Sequence, residues 1–229
     1  MITVIFRQFC TADKEISYLL ADAVTRQAAL IDANVLAVKE YLETIENMDL
    51  TLLYVMETHA HESHRSASAL LRKQLDTQLV AHKAAQLDCT DLAVGDEDCV
   101  FIGEECTRVI ATPGHSRCSL CFHWRDRVFT GHTLLAGKSG LCQREDSEPA
   151  DMLKSIQKKL LTLPDETLIY PGRINENRCV SSIAQERTDN ADVKTDMTKE
   201  MFIQHKRQEA INKDTWQQDF LFANQRCNY

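Results

Sequence analysis

The sequence predicts an α/β fold built as a four-layer αββα sandwich, two mixed sheets face to face with helices on the outside. Three observations lead there. β-rich stretches occupy two separate parts of the chain, each bordered by amphipathic helical segments. The apolar run Leu50–Met56 has no helical spacing and reads as a buried strand. Four predicted strand ends, at 58–64, 112–116, 131–133 and 171–173, carry unusual polar loops, and loops at one edge of a sandwich can meet in space.

Residues 2–9 form the first predicted strand, and turn-prone Thr11-Ala12-Asp13 separates it from a second over Ile16–Val24. Ala28–Ile31 is a third, and Asp32-Ala33-Asn34 ends the β run and caps a helix. From Val35 to Met48, Val35, Val38, Leu42 and Ile45 recur at three and four residues, the period of an amphipathic helix. After strand 50–56 and its loop, a short basic helix covers 65–75. Thr77–Ala81 is a short strand, and Leu92–Asp96 leads into a turn. Cys99–Ile102 and Thr107–Ala111 make a hairpin through Gly103-Glu104-Glu105. Cys118–Trp124 and Val128–Thr130 make a second, through Arg125-Asp126-Arg127. A helix runs from Glu148-Pro149 to Leu163, where Pro164 stops it. The strand Thr167–Tyr170, helices over 178–187 and 197–207, and an aromatic tail with Trp216, Phe220 and Phe222 complete the chain. No repeat or long linker divides it, so residues 1–229 are expected to form a single domain, with about 190–229 packed on the body as a tail.

The 229 residues can bury a sizeable core, and 44% hydrophobic with 26% charged residues is ordinary for a globular chain. A net charge of −8 argues against a general nucleic-acid binder, which needs a positive surface. No apolar run approaches the roughly 20 residues that span a bilayer. Met1–Arg7 lacks the basic region, long apolar core and cleavage site of a secretory signal, so the expected setting is cytoplasmic. The nine cysteines are irregularly spaced and read as mostly reduced. Cys118 and Cys121 have Cys-x-x-Cys spacing, but alternation along a strand puts them on opposite faces, against joint metal ligation.

The candidate site is Thr58-His59-Ala60-His61-Glu62-Ser63-His64, which holds three of the eight histidines. Imidazole suits zinc, iron and other first-row metals, and His-x-His places two rings close together. His115 at a turn tip and His132 just past a strand end are candidates to join them.

These motifs resemble the metallo-β-lactamase fold, in particular its persulfide dioxygenase and glyoxalase II branch. The family's His-x-His-x-Asp-His motif matches His59, His61, Ser63 and His64; its Thr-Pro-Gly-His matches Thr112–His115. Its Phe-Thr-Gly-Asp matches Phe129–His132, and its Tyr-Pro-x-His matches Tyr170–Arg173. Phe6-Arg7-Gln8, Tyr18–Asp22, Leu163-Pro164 and Glu186-Arg187-Thr188 are similar to the persulfide dioxygenase subgroup, and the resemblance covers nearly the whole chain.

The chain departs from the family where its second metal would sit: Ser63, His132 and Arg173 replace aspartate, aspartate and histidine. Arginine stays protonated and is a poor ligand. The resemblance implies one metal on His59, His115 and His132, with His61 as a fourth ligand and His64 ligating or flanking. The persulfide dioxygenase likeness favours Fe(II), with Zn(II) as the alternative. The subgroup's Gly-Arg-x-Asp-Phe-like stretch is missing at 139–146, which argues against glutathione persulfide itself. Lys138, Arg144 and Arg173 are the candidate anion-binding cations, although the first two also read as solvated surface charges. Three functions follow: oxidation of a small thiol or persulfide at a His-rich iron site; zinc-dependent hydrolysis of a thioester or related carbonyl; or a non-catalytic metal- or ligand-binding role. The partner is then a small molecule (thiol, persulfide or thioester), with no nucleic acid, no membrane, and a homodimer left open.

Overall fold

The computed structural model describes residues 4–194, 197–211 and 218–227. The first sheet runs β1 (Val4–Cys10), β2 (Ile16–Asp22), β3 (Gln27–Ile31), β4 (Thr51–Met56), β5 (Gln78–His82) and β6 (Leu92–Val94), side by side in that order. β1, β2 and β3 pair antiparallel; β3 through β6 pair parallel. α1 (Val38–Asn47) and α2 (Ser68–Leu75) make the crossovers from β3 to β4 and from β4 to β5. The second half of the chain contributes β7 (Cys99–Ile102), β8 (Glu105–Ala111), β9 (Leu120–Trp124), β10 (Arg127–Gly131), the small hairpin β11 (Leu134–Leu135) and β12 (Lys138–Ser139), then β13 (Leu168–Pro171) and β14 (Ser181–Ser182). The second sheet has the order β14-β13-β10-β9-β8-β7, with only β10 and β13 parallel.

Strand alternation produces the four layers. Along β2, Tyr18 and Leu20 face the second sheet and pack with Phe122, Trp124 and Phe129, while Leu19 faces outward to Tyr41 and Ile45 of α1. β9 and β10 alternate likewise. Cys121 and Val128 turn outward to Met152 and Leu153 of α3 (Pro149–Ser155) and Phe202 of α5 (Lys199–Ile211). Cys118 belongs to a different cluster, with Ala60 and Leu221 of α6 (Gln218–Gln225), so it and Cys121 share no site.

Differences from the sequence reading lie mostly at element ends. The first helix opens with a 3-10 turn over Val35–Ala37, where the Asn34 side chain accepts from Leu36 N. The helix expected to reach Leu163 changes after Ser155 to π-type winding over Ile156–Leu160. Cys118 lies in a loop before β9, and the expected helix over 178–187 begins after β14, as α4 (Ile183–Asp189). The hairpin β11–β12 has no counterpart in the sequence reading; two-residue strands carry too few alternating positions to register. Residues 2 and 3 of the first predicted strand and Trp216 of the tail lie outside the described residues. Four cysteines are paired, Cys89 with Cys227 and Cys99 with Cys106, while Cys10, Cys118, Cys121, Cys142 and Cys179 are free. Among the described residues no helix is long and apolar enough to cross a membrane.

Two glycines let the site loops close on one another. Gly114 has φ +147°, and a Cβ there would lie 2.3 Å from Met152 Cα; Gly131 has φ +49°, and a Cβ would lie 2.3 Å from Thr58 Oγ1. Gly114→Ala is therefore expected to cost about 1–3 kcal/mol from backbone strain alone. Chemical denaturation of the purified variant checks this, and an unchanged midpoint would contradict so close an approach.

Candidate metal centre

The carboxyl ends of β3, β4, β8, β10 and β13, with the entry to β2, gather at one edge of the sandwich. Backbone hydrogen bonds stitch the two sheets there: Leu120 N donates to Thr58 O at 2.7 Å, and Ile16 N to Gly172 O at 2.8 Å. Five histidines converge. The His59 ring lies 4.2 Å from that of His61 and 4.8 Å from those of His115 and His132, and His61 lies 4.2 Å from His64.

One ligand atom each from His59, Glu62, His115 and His132 falls within 4.8 Å of the other three. Second contacts select the tautomers. Thr58 Oγ1 donates its proton to Asp32 Oδ2 at 2.8 Å, so at 3.0 Å it must accept from His59 Nδ1. The His115 Nδ1 proton goes to Leu141 O at 2.8 Å. Both rings then carry a bare Nε2, and both of those buried atoms have no hydrogen-bond partner. Glu62 Oε1 stands 3.1 Å from His115 Nε2 without forming an aligned bond. Two orphaned imidazole lone pairs beside a carboxylate fit a divalent cation, since a buried polar atom otherwise demands a partner. His132 Nε2 donates to Glu15 Oε2 at 3.0 Å, leaving its Nδ1 lone pair.

Charge favours the same reading. Burial and the neighbouring imidazoles hold His59 well below the ordinary histidine range, hence neutral. Burial would raise Glu15 and Glu62, but histidines outweigh it and hold both carboxylates ionised: His132 and His64 for Glu15, His115 and His132 (with Arg144) for Glu62. Burial likewise pulls His132 down, yet Glu15 and Glu62 raise it overall. Groups that draw a proton to that ring also draw a metal cation.

His59, His115 and His132 thus come together as expected ligands do. His61 does not join them. Its Nε2 lies 2.8 Å from Glu57 Oε2 and 3.2 Å from Asp32 Oδ1. Burial lowers its pKa, but Asp32 and Glu57 raise it well above the ordinary range, and the three form a second cluster of potential ligand atoms. His64 lies 3.2 Å from Ser63 Oγ and 3.6 Å from Glu15 Oε2, outside the ligand group. Arg173 reaches Glu15 Oε1 at 2.6 Å and lines the cavity beside the site. Lys138 also lines it but is paired with Glu209. Arg144 corrects the expectation of an anion-binding cation: it is 8% exposed and binds Ala60 O, Glu62 and Asp146. Its charge offsets a buried carboxylate instead of meeting a substrate.

Glu15, Asp32, Glu57 and Glu62 went unnoticed in the sequence reading. Glu62 had a signal, since it stands inside the histidine heptad next to Ser63; Glu15, at the entry to β2, had none. Asn224 on α6 was also missed. Its side chain donates to His61 O and His64 O at 3.0 and 2.9 Å and accepts from Ser66 N at 3.0 Å, while the Cys89–Cys227 bond anchors the tail beyond it.

Comparison with known proteins fits this geometry. The model of the Metallo-beta-lactamase superfamily matches residues 17–173. The human mitochondrial persulfide dioxygenase ETHE1 is 32% identical over 177 residues, 76% of this chain and 69% of its own length. A hydroxyacylglutathione hydrolase of Rhizobium johnstonii is 33% identical over 159 residues, 67% of this chain and 60% of the relative. The crystal structure of ETHE1 from Myxococcus xanthus superposes with a TM-score of 0.94 at 34% identity, covering 98% of this chain and 100% of that one.

Two outcomes are expected here. Thr58→Val keeps shape but removes the link between Asp32 and His59, and should weaken metal binding about 10–100-fold with the fold intact; metal-buffered titration beside a melting curve measures it. Asn224→Ala removes three hydrogen bonds and should cost roughly 1–3 kcal/mol in denaturant unfolding.

Proposed function

The chain belongs to the metallo-beta-lactamase superfamily, and the relatives it matches include a persulfide dioxygenase and a hydroxyacylglutathione hydrolase; from that premise we propose that it is a mononuclear iron enzyme of the persulfide dioxygenase type. It would transfer both atoms of dioxygen to the sulfur of a small thiol or persulfide. The overall change balances as R–SH + O2 → R–SO2H, with sulfur giving four electrons and dioxygen taking them.

The single observation that carries this reading is the convergence of the bare Nε2 atoms of His59 and His115 with His132 and Glu62. His59, His115, His132 and Glu62 would hold the metal, and an iron ion there would supply the redox chemistry that joins dioxygen to sulfur, which zinc does not offer. The chain's own residues do the positioning. Thr58 and the Leu141 carbonyl hold the His59 and His115 rings with Nε2 bare. Glu15 orients His132, and Arg144 holds Glu62 in place. Arg173, bridged to Glu15, puts a fixed cation where the family resemblance places a second metal's ligand, which supports a single metal. A small-molecule substrate and a cytoplasmic setting belong to the same reading.

Elemental analysis of protein purified without a histidine tag, followed by oxygen-electrode assays with low-molecular-weight thiols and persulfides, tests it. The expected result is about one equivalent of iron, oxygen uptake with one of these substrates, and loss of both in His115→Ala. One equivalent of zinc with thioester hydrolysis would replace this reading by the hydrolase one. Iron-loaded protein inert toward every such sulfur compound would leave a non-catalytic role.

A further inference from the structure

Beside the metal centre lies a cavity of about 500 Å3, within the range of about 300–1,000 Å3 typical of small-molecule sites. His115, His132 and Glu62 form part of its wall, so a ligand in it can reach the metal ligands. The remaining wall carries two cations, Lys138 and Arg173, and one further acid, Asp13. Lys138 is spent on Glu209. Arg173 is not: only Nη1 is engaged, on Glu15, while the guanidinium has five N–H donors and its side chain is 43% exposed. Asp13 accepts from the Thr11 hydroxyl and, at 3.5 Å, from Asn34 Nδ2, and among the described residues it forms no ion pair.

The chain puts these two opposite charges on adjoining segments. Glu15 and Arg173 form a backbone bridge, and Ile174 N donates to Lys14 O at 2.9 Å, so the turn bearing Asp13 runs beside the segment bearing Arg173. Yet among the described residues no ion pair joins Asp13 to Arg173. An adjacent cation and anion that both face a cavity without pairing offer complementary partners to a ligand carrying both charges.

We propose that this cavity is a recognition site for a free α-amino acid, with its carboxylate on Arg173 and its ammonium on Asp13. Its substrate class is then a cysteine-type amino acid bearing a thiol or persulfide. The sulfur end of this assignment rests on the dioxygenase reading; the binding of the amino-acid backbone does not.

Isothermal titration of the full chain, as purified, with three unreactive thioethers separates the charges: S-methyl-L-cysteine, 3-(methylthio)propanoate and 2-(methylthio)ethylamine. The zwitterion should bind at least about tenfold more tightly than either analogue. Arg173→Gln should weaken the zwitterion and the propanoate about tenfold and leave the amine unchanged. Asp13→Asn should weaken the zwitterion and the amine and leave the propanoate unchanged. Metal content is measured on both variants; because Arg173 also touches Glu15, Asp13→Asn carries the test if Arg173→Gln loses metal or fails to fold. Equal affinity for all three ligands, or an affinity indifferent to Asp13, overturns the proposal. Discrimination among the thioethers in a protein that consumes no oxygen would overturn the dioxygenase reading and uphold this one; oxygen consumption without discrimination would do the reverse.

Discussion

A carboxylate taken out of water must be neutralised, and four of them sit at one edge of this sandwich. Glu15, Asp32, Glu57 and Glu62 are each 8% exposed or less. Left unpaired, each would cost several kcal/mol. Each is instead shared: Asp32 and Glu57 hold His61, Glu15 holds His132 and Arg173, and Glu62 faces His115 with Arg144 behind it. This mutual requirement decides which histidines are protonated, which present a lone pair, and which cations remain for a ligand.

The scaffold supplies that arrangement through strand ends. Polar loops gather where strands stop, because the sheet faces behind them are filled by Tyr18, Phe122, Trp124 and Phe129. Gly131 of the second sheet packs against Thr58 of the first, and that threonine links two strand ends of its own sheet, accepting from His59 and donating to Asp32. The tail adds a clasp, since Asn224 binds two carbonyls of the histidine loop. The metal ligands thus depend on residues more than a hundred positions away, and their geometry is a property of the whole fold.

Relative to the family pattern the site has moved its negative charge without discarding it. Ser63 and His132 stand where the resemblance places aspartates, but Glu62 one residue earlier reaches the metal ligands with an extra methylene, and Glu15 faces His132 from the other sheet. A degenerating site would leave buried cations without counter-charges. Here Arg144 and Arg173 each meet a carboxylate, and four buried ring nitrogens lack a hydrogen-bond partner: Nε2 of His59, His64 and His115, and Nδ1 of His61.

Much of the fold and half of the site were legible in the chain alone. Alternating and continuous apolar runs marked the main strands, because side-chain period follows from backbone geometry and needs no partner. The histidine heptad and the loops bearing His115 and His132 stood out through scarce residue types at strand ends. Glu15, Asp32, Glu57 and Asn224 did not, because a single acid or amide in a loop looks like any solvated side chain until burial removes the water. Arg144 was misassigned for the same reason: its charge was visible, its burial against Glu62 was not. The sequence by itself determined which residues could bind a metal. Tertiary structure decided which of them converge, because only packing brings distant strand ends within hydrogen-bond reach and withdraws the solvent that would otherwise satisfy each group separately.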